Sequence, residues 1–287
     1  MRCAWAALAL LASMSVAAPA AESLRIGLAV PLTGPDAGFG QGARLGAEAA
    51  VAEINRAGGV LGQKLQLVVQ DDAGDAKQAA AAARRLVGGG VRFVVGHLTS
   101  GAAAAAAPVY EEAGLLSITP GATWAPLTRR GAALLFRLAG NDAQQGALGG
   151  SLLAGRFRDR PVAILHDRTS FGRGLADEAG RALKAQGGRE RLFEGVARDE
   201  REIAGLVAKL RALGIEAVYF GGLHAPAALL LRAMREAGLP ATLIGSDGLL
   251  DRDFAQSAGP AAEGTLMTLS PSPPRLPEAR GEPRGGA

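Results

Sequence analysis

The chain has 287 residues, 48% of them hydrophobic and 4% aromatic, with 31 Lys and Arg against 27 Asp and Glu for a net charge of +4. That length suggests about two domains, and cores so poor in aromatics must be built mainly of Ala, Leu and Val. The basic excess is small and scattered, which excludes a nucleic-acid footprint.

Residues 1–20 read as a secretory signal, with Arg2 as the positive start, residues 4–11 as the apolar stretch and Ala18-Pro19-Ala20 as the cleavage site. The apolar stretch is too short for a membrane span. The sole cysteine, Cys3, lies at the start of this segment and is not placed for lipid attachment. Cleavage after Ala20 leaves a chain without disulfide or thiol chemistry.

Residues 25–30 predict the first strand, followed by a Gly/Pro loop over 31–40. Ala47, Ala50, Val51 and Ile54 recur at i, i+3, i+4 and i+7, which predicts an amphipathic helix, stopped at Gly58-Gly59. Residues 65–69 predict a strand ending in Asp71-Asp72, and Asp75 caps a helix with a buried stripe of Ala79, Ala82, Ala83 and Leu86. A short apolar run over 93–95 ends in Gly96 and a polar turn over 97–101, then an alanine-rich helix. A second apolar run over 115–118 ends in another polar turn over 119–123, and residues 134–138 predict a further strand.

The pattern restarts around residues 139–142. A helix over 143–157 leads to a strand over 162–165, and the loop 166–174 opens a helix running to about Gln186. A strand near Leu192 follows. Asp199 and Glu202 resemble a capping pair that opens a helix with Ile203, Leu206, Val207 and Leu210 at helical spacing. A strand over 217–220 ends in Gly221-Gly222. The next helix carries Leu230, Ala233, Met234 and Ala237 and stops at Gly238 and Pro240. A strand over 242–244 ends in the polar turn 245–248, and 265–269 is the last apolar run. Residues 270–287 hold five of the 15 prolines and no apolar periodicity, so this tail is expected to be disordered.

This βα alternation, twice over, predicts an α/β protein of two Rossmann-like doubly wound lobes with a ligand cleft between them. The expected organisation is a signal peptide over 1–20, a first lobe over 21–139, a second lobe over 140–269 and the tail over 270–287.

In a parallel sheet the polar turns lie at the carboxyl ends of the strands, where open α/β sheets bind ligands. Ser100 stands where a helix N-cap is expected. Its hydroxyl and the free N–H groups of the first turn suit a carboxylate. In the next turn Gly121 offers a carbonyl, Ala122 follows it, and the Thr123 hydroxyl both donates and accepts. Together these groups suit the two ends of a zwitterion. The alternative is that Ser100 only caps its helix and Thr123 only closes a turn. Asp247 is open to three readings: a catalytic acid, a partner for an ammonium group, or a solvated turn residue.

Residues 38–43 loosely fit a dinucleotide fingerprint, but they begin eight residues after the first strand, across Pro31 and Pro35, whereas the fingerprint needs its glycines in the tight turn after the strand. No phosphate-loop, zinc-protease or G-x-S-x-G pattern is present. His97, His166 and His224 lie on separate turns without metal-ligand spacing and read as structural. No cofactor, metal site or catalytic residue is expected.

With these residues placed, the chain resembles the periplasmic leucine/isoleucine/valine-binding proteins, the type I solute-binding proteins of branched-chain amino acid ABC transporters. The stretches that carry the resemblance are IGLAVPLTGPDAGFGQGARLGAEAAVAEINRAGGVLGQKLQLVVQDDAGDAKQA, VVGHLTSGA, YEEAGLLSITPGAT, AILHDRTSFGRGLA, VYFGGLHAP and LRAMREAGL, within residues 24–269. The resemblance implies that a ligand carboxylate meets Ser100 and Thr123, and that its ammonium meets the Gly121 carbonyl, the Thr123 hydroxyl and Asp247. It places Phe39 and Phe171 at the border of the side-chain pocket.

There are departures from the family pattern. The acidic position is usually Glu, and Asp is shorter by about 1.5 Å. Leu223 replaces an aromatic, commonly Tyr, and Phe39 and Phe171 lack a hydroxyl, so the pocket rim is expected to be more apolar. Gly74 and Thr99 stand where relatives often carry a disulfide, a tether worth about 3 kcal/mol by the chain-entropy model. Family members continue past the Leu269 region back into the first lobe. This chain is therefore expected to be truncated or frameshifted, with an incomplete first lobe that exposes apolar surface.

The resemblance implies a periplasmic, non-enzymatic and monomeric protein that captures an aliphatic amino acid by lobe closure and delivers it to the membrane permease of an ABC transporter. The alternatives are a sensory or regulatory protein of the same fold and a non-functional fragment.

Overall fold

The computed structural model describes residues 23–129, 133–196 and 200–269. The expected signal peptide, the proline-rich tail and Asp199 of the expected capping pair lie outside the described residues.

Two parallel five-stranded sheets form the frame. The first is built from β1 (Leu24–Val30), β2 (Leu65–Asp71), β3 (Phe93–Gly96), β4 (Leu116–Thr119) and β5 (Leu135–Arg137), in the order β2-β1-β3-β4-β5. The second is built from β6 (Val162–His166), β7 (Leu192–Gly195), β8 (Ala217–Gly221), β9 (Thr242–Gly245) and β10 (Leu266–Met267), in the order β10-β9-β8-β6-β7. Read from its other edge, the second sheet repeats the topology of the first. In each, the order reverses direction beside the first strand of the set, between β1 and β3 and between β6 and β8. Loops leaving such a pair diverge to opposite faces and open a crevice at the carboxyl ends of the strands. Register is set by apolar pairs such as Ile26 beside Phe93 and Ile164 beside Tyr219.

The helices are α1 (Ala37–Arg56), α2 (Ala76–Gly88), α3 (Ser100–Glu112), α4 (Pro126–Arg129), α5 (Asp142–Arg156), α6 (Ser170–Ala185), α7 (Glu200–Ala212), α8 (His224–Glu236) and α9 (Arg252–Ala258). Strand alternation sorts the second sheet onto its two faces. Ala163 and Leu165 of β6 pack with Ile203, Leu206, Val207 and Leu210 of α7 and Leu230, Leu231 and Met234 of α8. Val162 and Ile164 pack on the other face with Leu153 of α5 and Leu175, Ala179 and Leu183 of α6. Each fully buried Leu contributes about 2 kcal/mol of transfer free energy.

In the first lobe, α2 has the predicted cap and stripe. The Asp75 side chain accepts from the N–H groups of Lys77 and Gln78, and Ala79, Ala82, Ala83 and Leu86 are the buried residues. Leu86 packs with Val94 and with Tyr110 of α3.

The structure differs from the sequence pattern, or adds to it, at four places. The loop expected over 31–40 ends at Asp36, because α1 starts at Ala37 and Gly40 lies inside it against the Pro31 carbonyl. A Cβ at Gly40 would lie 1.7 Å from that oxygen, so glycine serves close approach here and not a turn. The loop expected over 166–174 ends at Thr169, whose side chain accepts from the Gly172 N–H and caps α6. The stripe of Ala47, Ala50, Val51 and Ile54 is not buried. Gly40 is the only buried residue of α1, and Leu45 and Ile54 are 66% and 37% exposed. The helix lies along β1 and β2, and in its first turn the Phe39 ring meets His224 of α8. The short α4 and α9 are the fourth difference. Both fall where the sequence has turn residues and too few positions for a helical repeat to show.

Candidate functional site

A cavity of about 580 Å³ opens where the carboxyl ends of the two sheets face each other. The first lobe contributes the turn after β1, the turn after β2, the N-terminus of α3 and the turn after β4. The second contributes residues 168–171, Leu223 and Asp247-Gly248. Phe39, Ser100, Gly121, Thr123, Phe171, Leu223 and Asp247 all line this cavity. Ala122 does not. It is buried, its N–H donates to the Thr119 hydroxyl at 2.9 Å, and its carbonyl accepts from Arg137 Nη1 at 3.0 Å.

Ser100 is the first residue of α3 and not its N-cap, a position held by Thr99 without a side-chain capping bond. The Ser100 oxygen is used instead by the turn after β4, accepting the Trp124 N–H at 3.2 Å. That leaves the Ser100 hydrogen to donate into the cavity, beside the unpaired N–H groups of the first helical turn. The Thr99 and Thr123 hydroxyls are buried with no hydrogen-bond partner among the described residues, and both residues line the cavity. Ser100 and the first N–H groups of α3 make this end of the cavity a set of donors at the positive end of a helix, suited to an anion.

Gly121 packs on Leu98. A Cβ there would lie 2.7 Å from Leu98 Cδ1 and 3.3 Å from the Leu98 carbonyl oxygen, so a larger residue would have to push the Leu98 side chain aside. Arg137 of β5 holds the turn from behind, donating to the Ala122 and Trp124 carbonyls at 3.0 Å each and to the Thr128 hydroxyl at 2.6 Å. Beneath the β3 loop, His97 is buried with its Nδ1 2.5 Å from Asp72 and its Nε2 3.0 Å from the Tyr110 hydroxyl. With Asp72 ionised, Nδ1 donates to it and Nε2 accepts from Tyr110. Burial above all, and then the charge of Asp72, pushes the Tyr110 hydroxyl well above its usual range. His97 is thus structural, as its sequence context suggested.

The opposite end of the cavity is acidic. Asp247 Oδ2 accepts from Gln145 Nε2 at 2.8 Å, while Oδ1 is buried with no partner among the described residues. Gln145 is itself fixed by the Thr268 hydroxyl, which donates to its Oε1 at 3.3 Å. Asp167, after β6, joins the remaining second-lobe loops. Its Oδ1 accepts from the Thr169 N–H and hydroxyl at 3.0 and 2.6 Å, and its Oδ2 accepts from the Leu223 N–H at 3.1 Å. Phe171 and Leu223 therefore take their positions from one carboxylate. The edge of the Phe39 ring meets His224, with centroids 5.6 Å apart, one residue after Leu223.

Gln145, Asp167 and Arg137 were not singled out from the sequence. A polar residue one turn inside a helix of small apolar residues was the only signal for Gln145. Nothing linked Asp167 to Leu223 before the strand order was known.

Two facing parallel α/β lobes, with donors on one wall, an acid on the other and apolar side chains between, define a solute-binding protein. Residues 23–282 match the family described as Periplasmic binding protein, and the chain belongs to that family. The chain is 41% identical over 270 residues to the Leu/Ile/Val-binding protein homolog 1 of Brucella suis, covering 94% of this chain and 73% of that one. It is 42% identical over 250 residues to the leucine-, isoleucine-, valine-, threonine- and alanine-binding protein of Pseudomonas aeruginosa, covering 87% and 67%. The branched-chain amino acid transporter substrate binding protein LivJ of Streptococcus pneumoniae, in complex with isoleucine, superposes with a TM-score of 0.74 at 27% identity, covering 83% of this chain and 68% of that one.

Proposed function

We propose that this protein captures a branched-chain or other aliphatic amino acid outside the cytoplasm and delivers it to the membrane permease of an ABC importer. One observation carries the reading: a single cavity has unpaired donors at the α3 end and an unpartnered carboxylate oxygen at Asp247. A zwitterion leaving water needs both charges compensated, and these two ends supply the compensation. The ligand carboxylate meets Ser100 and the first N–H groups of α3. The ammonium meets the Gly121 carbonyl, Thr123 and Asp247. Phe39, Phe171 and Leu223 border the aliphatic side chain. The relatives named for leucine, isoleucine and valine, and the isoleucine complex of a similar protein, support that ligand class.

The residues of the first lobe, 21–139, and of the second, 140–269, close on the ligand as a monomer with no cofactor, metal or catalysis. Residues 1–20 direct export to the periplasm.

Thermal unfolding with each of the 20 common amino acids tests the reading. A ligand at a hundred times its Kd stabilises by about 2.7 kcal/mol. Leucine, isoleucine or valine is expected to raise Tm, and a panel that leaves Tm unmoved contradicts amino acid capture.

A further inference from the structure

Behind the donor wall of the cleft lies a second acid. Asp142, the first residue of α5, is 1% exposed, and neither of its carboxyl oxygens has a hydrogen-bond partner of good geometry among the described residues. Its N–H donates to the Thr123 carbonyl at 2.9 Å, and its carboxyl lies against the Thr123 hydroxyl, which is buried and also unpartnered. A buried carboxylate without bonds is costly.

The groups that face it are Arg137 of β5, Glu178 of α6, Tyr219 of β8 and Asp247 after β9. Arg137 is the only cation among them, and its guanidinium is committed to the Ala122 and Trp124 carbonyls and to Thr128. Burial pushes the Asp142 carboxyl up to about 7. Thr123 and Arg137 hold it down, and Asp247 and Glu178 push it further up.

We propose that Asp142 is a positioning residue that sets the direction of the Thr123 hydroxyl and gives up its proton when an amino acid enters the cleft. The inference rests on the amino acid reading above. Thr123 has one hydrogen and two lone pairs. To accept an N–H from a ligand ammonium, it is best oriented with its own hydrogen on an acceptor behind it, and ionised Asp142 is that acceptor. Protonated Asp142 donates to Thr123 instead, and the Thr123 hydrogen then turns toward the cavity and opposes the ammonium. The incoming ammonium therefore selects the ionised form. The proton passes from Asp142 to the buffer, and the ammonium takes its place as the positive charge between Asp142 and Asp247. Affinity rises with pH up to about 7 and then levels off, by at most tenfold per pH unit for one linked proton.

The test is calorimetric titration of the full chain with leucine at pH 7, in phosphate and in Tris, whose ionisation enthalpies differ, followed by a profile from pH 5.5 to 8.5. Wild type is expected to release a fraction of a proton per leucine, and Asp142→Asn to release none and to bind with a flat pH profile. Wild type that binds leucine with equal heats in both buffers overturns the proposal without any variant. So does Asp142→Asn that releases as much proton as wild type. If none of the 20 amino acids binds, the amino acid reading falls and this proposal falls with it. Binding of leucine without proton exchange removes the proposal alone.

Discussion

Gln145 and Asp247, 102 residues apart, are joined by a 2.8 Å bond from Gln145 Nε2 to Asp247 Oδ2. The bond ties the first turns of α5 to the turn after β9 and leaves Asp247 Oδ1 buried without a partner among the described residues. A carboxylate held at one oxygen offers the other in a fixed place, so an ammonium ligand orders less on arrival.

Gln145→Leu removes that anchor. A hydrogen bond to a charged group is worth about 1.5–3 kcal/mol, so Kd for leucine is expected to rise on the order of ten- to hundredfold. Equilibrium dialysis with labelled leucine measures this, and an unchanged Kd would show that Asp247 is held by other contacts.

Asp142 makes folding stability depend on pH. Its folded-state pKa is about 7 against 3.8 for the free side chain, with burial as the main cause. Between those values the folded state holds more protons than the unfolded one, so stability falls as pH rises from about 4 to 7 and stays low above. The full span is at most about 4 kcal/mol. Asp142→Asn is expected to match wild type near pH 4 and to unfold at a higher temperature at pH 8. Two melting curves that run parallel from pH 4 to 8 would contradict this.

Trp124 stands between the lobes. It is half-buried against the Ala122 and Leu127 cluster, and a Cβ added at Gly174 of α6 would lie 3.0 Å from its Cδ1. Trp5 falls in the expected signal, which leaves Trp124 as the indole that reports on the exported chain. Lobe movement changes the water around the ring. Leucine is therefore expected to shift or quench its emission with a midpoint equal to the thermodynamic Kd. A fixed spectrum during saturating binding would place the ring outside the moving interface.

The exposed apolar residues of α1 carry little of the fold's stability. Leu45→Gln is expected to change stability by less than about 0.5 kcal/mol and to improve solubility. Leu86→Ala, at a fully buried position, is expected to cost about 2–5 kcal/mol. Urea unfolding of the two variants decides. A large loss at Leu45 would mean that α1 is covered in solution.

Much of this molecule was legible in the residues themselves. The Asp75 cap and its alanine stripe were readable because a cap and a 3.6-residue repeat are local signals. The two polar turns were readable because βα alternation puts them at one edge of a parallel sheet. The α1 stripe marked a helix correctly, but periodicity reports which side of a helix is apolar and says nothing of what covers it. Ser100 was displaced from the cap by one residue because its oxygen answers Trp124, a partner in the turn after β4. Asp142 and Gln145 were invisible as site residues. Their importance lies in Thr123 and Asp247, which only the strand order brings beside them.

The central claim is that one cavity holds the two charges of an amino acid between Ser100 and Asp247. Calorimetric titration of leucine into wild type, Ser100→Ala and Asp247→Ala tests it most directly. Wild type is expected to bind one leucine, and Asp247→Ala to lose about 1.5–3 kcal/mol of affinity as a charge-assisted contact is removed. Ser100→Ala is expected to lose about 1 kcal/mol. Leucine that binds with the same affinity to all three proteins would contradict the account, because the ligand would then lie elsewhere.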